Sequence, residues 1–490
     1  MTDLVEGNTK SRLFRFMLPL LAGNFLQQCY SFADGVIVGQ VVGKNGLAAI
    51  GASNSIQFLM VAVLMGLGAG SEILISMRIG QREWKLAKRT LDTLLTSVLV
   101  VSLVLSVIGI FVSRHLLIWI DTPETVLTEA VRYLRIYFVG LIGVAGYSTL
   151  SGMIRSTGNS KVPLLLLVVT SVVNIVLDLL FVAKIQMGVM GAGIATVIAQ
   201  TLSFLLCLIY INIKKGMLKY HPFCGDFDFK VVKEGIKCGI PYSVEQGMVS
   251  IGMIFLQAAV NSLGVNEMTA YTIGSKIDSF ASIPITGMGQ ALCIFTSQNL
   301  GAGEIQRAKK GKKLCLNWAW IFSAGLLLVL WSAGRMIIHI FTDDRDIVNM
   351  TYEYIRILSI AYFLASYFVI LNGYIRGTGN TVLPMFSSVF GYWAARLPAA
   401  YVLKEIAGYM GICLAIPAGW IGSCIIVRFY IHSKKFTVFM KRQEEAEYER
   451  TDRKNQAIYR SRDSRICGNR AEQVSADFEK SKSTRSGMDE

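Results

Sequence analysis

The sequence predicts an all-α polytopic membrane protein with twelve transmembrane helices, arranged as two six-helix bundles related by a parallel internal repeat. Composition is the first indication: 53% of the 490 residues are hydrophobic and 17% charged, and mean hydropathy is +0.49, a membrane profile. Second, apolar runs of the ~20 residues that cross ~30 Å of hydrocarbon follow one another, and only helices or closed barrels satisfy their own backbone there. Third, the chain repeats itself: Ser151 to Pro163, SGMIRSTGNSKVP, returns as NGYIRGTGNTVLP from Asn372 to Pro384. The same offset pairs Gly66, Gly68, Ser76, Gly80 and Lys88 with Gly287, Gly289, Ser297, Gly301 and Lys309, so the duplication covers most of each half.

In order, the spans fall at 13–42, 47–77, 91–113, 131–154, 161–183 and 190–213, then at 236–263, 269–299, 314–335, 351–375, 381–403 and 408–432. The opening MTDLVEGNTKSRLFRF is polar and weakly basic; the run after it is too long for a signal-peptide core, so it reads as the first span. This divides the chain into a first lobe (1–213), a cytoplasmic linker (214–235), a second lobe (236–432) and a charged tail (433–490) expected to be largely disordered. Part of the linker, DFDFKVVKEGIKCGIP, suits a short amphipathic helix lying at the interface.

Basic residues gather in alternate connections: Lys10 to Arg15, Arg78 to Arg89, Arg155 to Lys161, Lys214 to Lys237, Arg307 to Lys313, and the tail. The positive-inside rule then puts both termini in the cytoplasm of a plasma, bacterial inner, membrane. With six spans per half the copies enter in the same orientation, about an axis along the membrane normal, with a cavity between them. The net charge of +15 lies in these connections and is read as a topology signal, with no nucleic-acid partner. Most of the nine cysteines lie inside apolar runs, without a CxxC pair, so neither a disulfide framework nor a metal centre is expected. Each RxTGN segment reads as a tight turn, with Gly and Asn tolerating positive φ and Pro opening the next helix.

Chemistry has to come from polar groups inside the spans, where an ionisable residue is expensive and lines a cavity or pairs. In the first lobe these are Asp34, Asn174 and Asp178. At 1.5 Å per residue they lie about 13, 15 and 9 Å from the outer ends of their helices. Asn174 and Asp178, four apart, share a face, so a cluster is geometrically possible. Two carboxylates and an amide oxygen suit Na⁺; desolvation and mutual repulsion equally prepare one carboxyl to carry a proton. A carboxylate satisfied by a neighbouring helix is the structural alternative, and for Asn174 helix-to-helix hydrogen bonding is an equal one.

The second lobe is not a chemical copy. Opposite Asn174 to Asp178 it reads Ala395, Arg396, Leu397, Pro398, Ala399. Its buried acids are Glu245 and Asp278, with Lys276 and Arg396 as candidate ion-pair partners. Tyr30, Tyr271, Phe280, Met248 and Met288 would give a cavity soft, cation-tolerant walls, although packing explains such residues equally well. The substrate-cavity set is therefore Glu245, Asp278, Tyr30, Tyr271, Met248 and Arg396.

PLLAGN from Pro19, SFADGVIVG from Ser31, the two RxTGN turns and VVNIVLD from Val172 together resemble the multidrug and toxic compound extrusion (MATE) family over residues 10 to 432. The resemblance implies two six-helix bundles that export organic, often cationic, compounds against inward H⁺ or Na⁺ movement. The family's helix-one acid maps onto Asp34, and the helix-five Asn and Asp of its DinF-like branch onto Asn174 and Asp178. In the NorM-like branch a Glu deeper in helix seven and an Asp in helix ten contribute to cation binding. Here Glu245 stands only four residues after Pro241 and helix ten offers no acid, which favours the DinF-like branch. The implied mechanism is alternating access in which substrate and coupling ion compete for one negative site, with repacking of helix one around Gly35 and Gly39. Expected partners are small organic cations or amphipathic compounds and membrane lipid; no cofactor is expected, and one chain, holding both lobes, suffices as a monomer.

The alternative is a lipid-linked saccharide flippase of the same superfamily, which would want a larger, more cationic cavity. A major-facilitator transporter lacks the RxTGN pair. An intramembrane enzyme is disfavoured because His115, His221, His339 and His432 all lie in connections or near span ends, with no HExxH or serine nucleophile motif.

Overall fold

A computed structural model describes residues 4–42, 44–120, 122–213, 219–220, 227–434, 436–442 and 444–445. Met1–His432 is one compact unit and Ser433–Glu490 another. The first half of the larger unit comprises α1 Thr9–Val41, α2 Lys44–Gly80, α3 Trp84–Trp119, α4 Glu124–Ser156, α5 Lys161–Asp178, continued by a π-helical stretch Leu179–Lys184, and α6 Val189–Ile213. The second comprises α7 Phe229–Asn261, α8 Val265–Ala281, α9 Ile283–Ala302, α10 Ile305–His339, α11 Arg345–Gly377, α12 Val382–Phe390, continued by a π-helical stretch Gly391–Arg396, and α13 Leu397–Ile431. Every one of these elements is helical.

Among the described residues, ten runs are long and apolar enough to cross a membrane. One of them, Val382–Ile431, has 50 residues and as a single helix would reach about 75 Å, far beyond the ~30 Å it has to span. Gly408, at φ 56°, breaks it into two crossings. α1, at 33 residues, is equally long and less apolar because it carries Asn24, Gln27, Gln28 and Asp34. The total is twelve crossings. α2 is continuous, whereas its repeat counterpart is divided at Ser282 into α8 and α9; Pro284, in the first turn of α9, cannot donate to the preceding turn.

Most helices begin several residues before their apolar runs. Asn8 accepts from the backbone N–H groups of Lys10 and Ser11, Asp228 from that of Lys230, and Asp344 from those of Asp346 and Ile347. These N-caps satisfy orphan donors with polar groups, so the first turns form outside the hydrophobic stretch. The expected interfacial helix is thus corrected: Phe229 onward is the opening of α7 itself. The rest of the predicted linker, 214–218 and 221–226, and the tail from 446 lie outside the described residues.

Both RxTGN segments are turns, with Gly158 at φ 79° and Gly379 at φ 86°. In each the asparagine does the same two jobs. Asn159 donates to the Tyr210 hydroxyl (3.0 Å) and accepts from the Val162 N–H (3.3 Å); Asn380 donates to the Tyr430 hydroxyl (2.7 Å) and accepts from the Leu383 N–H (3.2 Å). The motif recurs because it ties the end of one crossing to the helix two crossings on.

The halves are sealed together at the end where the basic connections lie. There α2 packs on α7 and α9, and α1 on α9. Arg78 pairs with Glu234 (2.6 Å) and Arg89 with Asp228 (3.4 Å). The Gln298 amide donates to the Ser156 carbonyl. α2 and α9 cross so closely that a Cβ on Gly80 would strike the Gln298 carbonyl and one on Gly301 the Met77 carbonyl. The N-terminal segment adds a strap: Leu4 is fully buried, Arg307 donates to the carbonyls of Leu4, Glu6 and Gly7, and Glu6 pairs with Arg82 (2.8 Å). Toward the other end α8 packs on α7, α9 and α11 of its own half.

Gly301→Ala should lower the melting temperature of the purified protein, since overpacking of this kind costs about 1–3 kcal/mol. Gly325→Ala, where a Cβ meets open space, is the control; equal melting temperatures for the two variants would contradict the close crossing.

Candidate ion and substrate sites

Asp34, in the second half of α1, and Asp178, the last residue of α5, bring their carboxyls within hydrogen-bonding reach of each other. Ionised, neither can donate. Asp34 Oδ1 and both Asp178 oxygens are buried without a donor; Asn174, one turn earlier on the same face, has its Oδ1 buried without a donor and its Nδ2 without an acceptor. Asn174 and Asp178 are 1% and 0% exposed. Near them stand Tyr30 and Tyr133. The helix widens into its π-helical stretch immediately after Asp178, an irregularity that recurs at functional positions in helices. Unsatisfied carboxylates held this close are costly. One shared proton converts their repulsion into a hydrogen bond, and a hard monovalent cation would find several oxygens already facing it.

A cavity of about 610 Å³ lies between the halves. From α1 it takes Asn24, Gln27 and Tyr30; from α2, α4 and α6 Glu72, Arg155 and Gln200; from the second half Tyr242, Glu245, Gln246, Gln290, Asn372 and Arg376. Asp34, Asn174 and Asp178 are not among its lining residues; Tyr30, one turn before Asp34 on α1, is. The charges in the wall are paired. Arg155 Nε donates to Glu72 Oε1 (3.0 Å) and Nη1 to the Ser151 hydroxyl (2.7 Å). Arg376 Nη2 donates to both oxygens of Glu245 (2.6 and 2.7 Å), and the Ser388 hydroxyl donates to Oε1 (2.6 Å). The Arg376 guanidinium also lies over the Tyr242 ring, 5.0 Å from its centroid.

Of the six residues expected in the cavity, Tyr30 and Glu245 line it. Asp278, Tyr271 and Arg396 gather separately within the second half: Asp278 accepts from the Tyr362 hydroxyl (2.6 Å), and Arg396 stacks on Tyr392 at 5.0 Å and lies near Asp278, Tyr271 and Tyr354. Met248 is occupied structurally, its carbonyl accepting from Trp393 Nε1 (2.9 Å). Of the suggested ion-pair partners, Arg396 does lie near Asp278, whereas the other suggestions need correcting. Glu245 pairs with Arg376, and Lys276 lies over the Phe341 ring. Among the described residues no three His, Cys, Asp or Glu side chains gather as a metal-binding group.

The MatE family model matches the chain twice, at residues 19–180 and 241–402, each match covering most of one half. The chain belongs to the MATE family. Its similarity extends over full-length relatives: it is 26% identical over 424 residues to the probable multidrug resistance protein YoeA of Bacillus subtilis (strain 168), covering 85% of this chain and 92% of that one. A MATE crystal structure in complex with MaD3S superposes with a TM-score of 0.83 at 20% identity, over 91% of this chain and 99% of that chain. The outward-facing structure of a multidrug resistance MATE transporter of the MOP superfamily gives 0.81 at 22%, over 91% and 98%. At these identities the two structures establish the fold. The protein is thus an integral, multi-pass MATE efflux transporter.

Sequence reasoning passed over three of the four charged residues that line this transporter's cavity. Glu72 lies inside an apolar run, GLGAGSEILISM, and was legible as an intramembrane acid. Arg155 and Arg376 are masked by their turns. Breaking one partner of such a pair leaves a stranded charge at a cost of about 3–5 kcal/mol. Arg376→Gln and Glu245→Gln should therefore each lower the melting temperature, and the double variant should recover part of the loss. Strict additivity in that thermal cycle would show that the two groups do not stabilise each other.

Proposed function

We propose that this transporter exports small organic, often cationic or amphipathic, compounds by alternating access, driven by H⁺ or Na⁺ entering through the Asp34–Asp178 site. The observation that carries the reading is the acid pair itself, with three carboxylate oxygens and the Asn174 amide buried and without partners. The name of its Bacillus relative, a probable multidrug resistance protein, supports the substrate range. The basic end is assigned to the cytoplasm of the bacterial inner membrane by its charge, which makes the sealed conformation outward-facing. One chain supplies both halves, so a monomer suffices.

In this cycle Asp34 and Asp178 take up a proton, or together with Asn174 ligate Na⁺, while the cavity faces outward. Tyr30, one turn before Asp34 on α1, lines the cavity, so loss of repulsion at the acid pair repositions a substrate-facing wall. α1 packs on both α5 and α9 and thereby reaches the seal between the halves. Rocking to the cytoplasmic side then requires the Arg78–Glu234 and Arg89–Asp228 pairs to part. Uptake drives the change only through different affinities of the ion for the two states. A flippase for pyrophosphate-linked lipids would want uncompensated basic surface, whereas both cavity arginines carry a glutamate.

Proteoliposomes loaded with a fluorescent organic cation, given a pH gradient and a Na⁺ gradient separately, test this reading. One gradient should drive transport by the wild type, and Asp34→Asn and Asp178→Asn should abolish it while remaining folded. Wild-type rates in a folded Asp34→Asn variant would overturn the assignment.

A further inference from the structure

The charged residues lining the cavity are Glu72, Arg155, Glu245 and Arg376, two acids and two bases, so the wall is electrically balanced. One ion pair belongs to each half, and the Arg376 guanidinium of the second lies over the Tyr242 ring. Two donors in the second-half wall are left over, Arg376 Nε and Asn372 Nδ2, both buried without an acceptor. A lone cation entering here gains a carboxylate only by pulling a glutamate from its arginine, and that strands a guanidinium in a wall of low dielectric. A solute bearing both a cation and a carboxylate can exchange partners with no charge left over. The fork of a guanidinium matches a carboxylate in two parallel hydrogen bonds, and the leftover donors stand on the side where it would land.

We propose that the cavity is built for zwitterionic organic solutes, with the Arg376 and Asn372 wall receiving the carboxylate and Glu72 or Glu245 the cationic group. This refines the substrate class of the efflux reading above and rests on it. It also separates the two cargoes. The coupling ion goes to Asp34 and Asp178, and the solute to a site with no net charge.

Tetramethylrhodamine, which carries a carboxylate beside its delocalised cation, and its methyl ester, which keeps the cation alone, form a matched pair of probes. Fluorescence anisotropy with purified full-length protein in nanodiscs, without any gradient, should show the zwitterion binding about tenfold or more tightly, because a site built to hydrogen-bond a group rejects the analogue that blocks it. The Arg376→Gln/Glu245→Gln double variant, which leaves no stranded charge, should bind both dyes alike, and Gly325→Ala, where a Cβ meets open space, should keep the preference. Equal or tighter binding of the ester to the wild type, absence of zwitterion binding, or a preference that survives in the double variant would each overturn the proposal. Because no gradient is used, failure of ion-driven transport in liposomes would count against the coupling reading alone.

Discussion

A guanidinium inside a helical membrane bundle has to bring its counter-charge with it, because hydrocarbon supplies neither water nor ions to compensate it. Arg155 and Arg376 stand in the last turns of α4 and α11, and a helical side chain leans back toward the N-terminus of its own helix. From those positions they reach into the space between the halves, where Glu72 and Glu245 meet them. This pairing fixes the character of the cavity, whose wall is polar and rich in amides but without net charge. The acid pair of Asp34 and Asp178 is arranged in the opposite way, with negative charge concentrated and oxygens unsatisfied. Two different electrostatic environments are thus present, and Tyr30, one turn before Asp34 on α1, lines the balanced one.

The duplication separates what the fold requires from what the chemistry requires. The turn glycines, the asparagines that bond Tyr210 and Tyr430, and the close-packed Gly80 and Gly301 recur in both halves, because both halves have the same backbone problem to solve. The charged groups do not recur in the same way. Arg155 and Arg376 are repeat counterparts, yet their acids come from different helices: Glu72 has Cys293 at its repeat position, and with Pro19 and Pro241 aligned Glu245 has Gly23. Ala395 and Ala399 replace Asn174 and Asp178. A symmetric scaffold thus holds one buried acid pair, in the first half, with a Tyr-rich cluster around Asp278 and Arg396 in the other.

Hydropathy and the repeat made the twelve crossings legible, and residue depth along the helices made a cluster of Asp34, Asn174 and Asp178 geometrically possible. Helix starts were less legible. Caps such as Asn8 and Asp344 are polar, and the turns they initiate carry no hydrophobic signal. The second half was misread for a different reason. Arg376 lies in a sequence motif that also makes a turn, so its backbone role hid its side chain's direction, and Glu245 was given the wrong partner. Pairing across a bundle depends on how helices are rotated about their axes, which spacing along one helix does not encode. Asp278 shows the same limit, since its hydrogen-bond partner Tyr362 comes from α11.

The separation of the acid pair from the cavity constrains how a coupled cycle can work. If ion and solute competed for the same carboxylates, exclusion alone would link them. With Asp34 and Asp178 outside the lining, the proposed cycle links ion and solute through packing, and assigns that link to α1. It holds Asp34, presents Asn24, Gln27 and Tyr30 to the cavity, and packs on α9 at the seal. Coupling of this kind is reciprocal: if neutralising the acid pair weakens solute binding, solute binding must weaken retention of the ion by the same factor. A balanced cavity fits such a scheme. A solute that brought a large net charge would act on the acid pair directly through the low-dielectric interior, whereas a zwitterion leaves the linkage to the movement of α1.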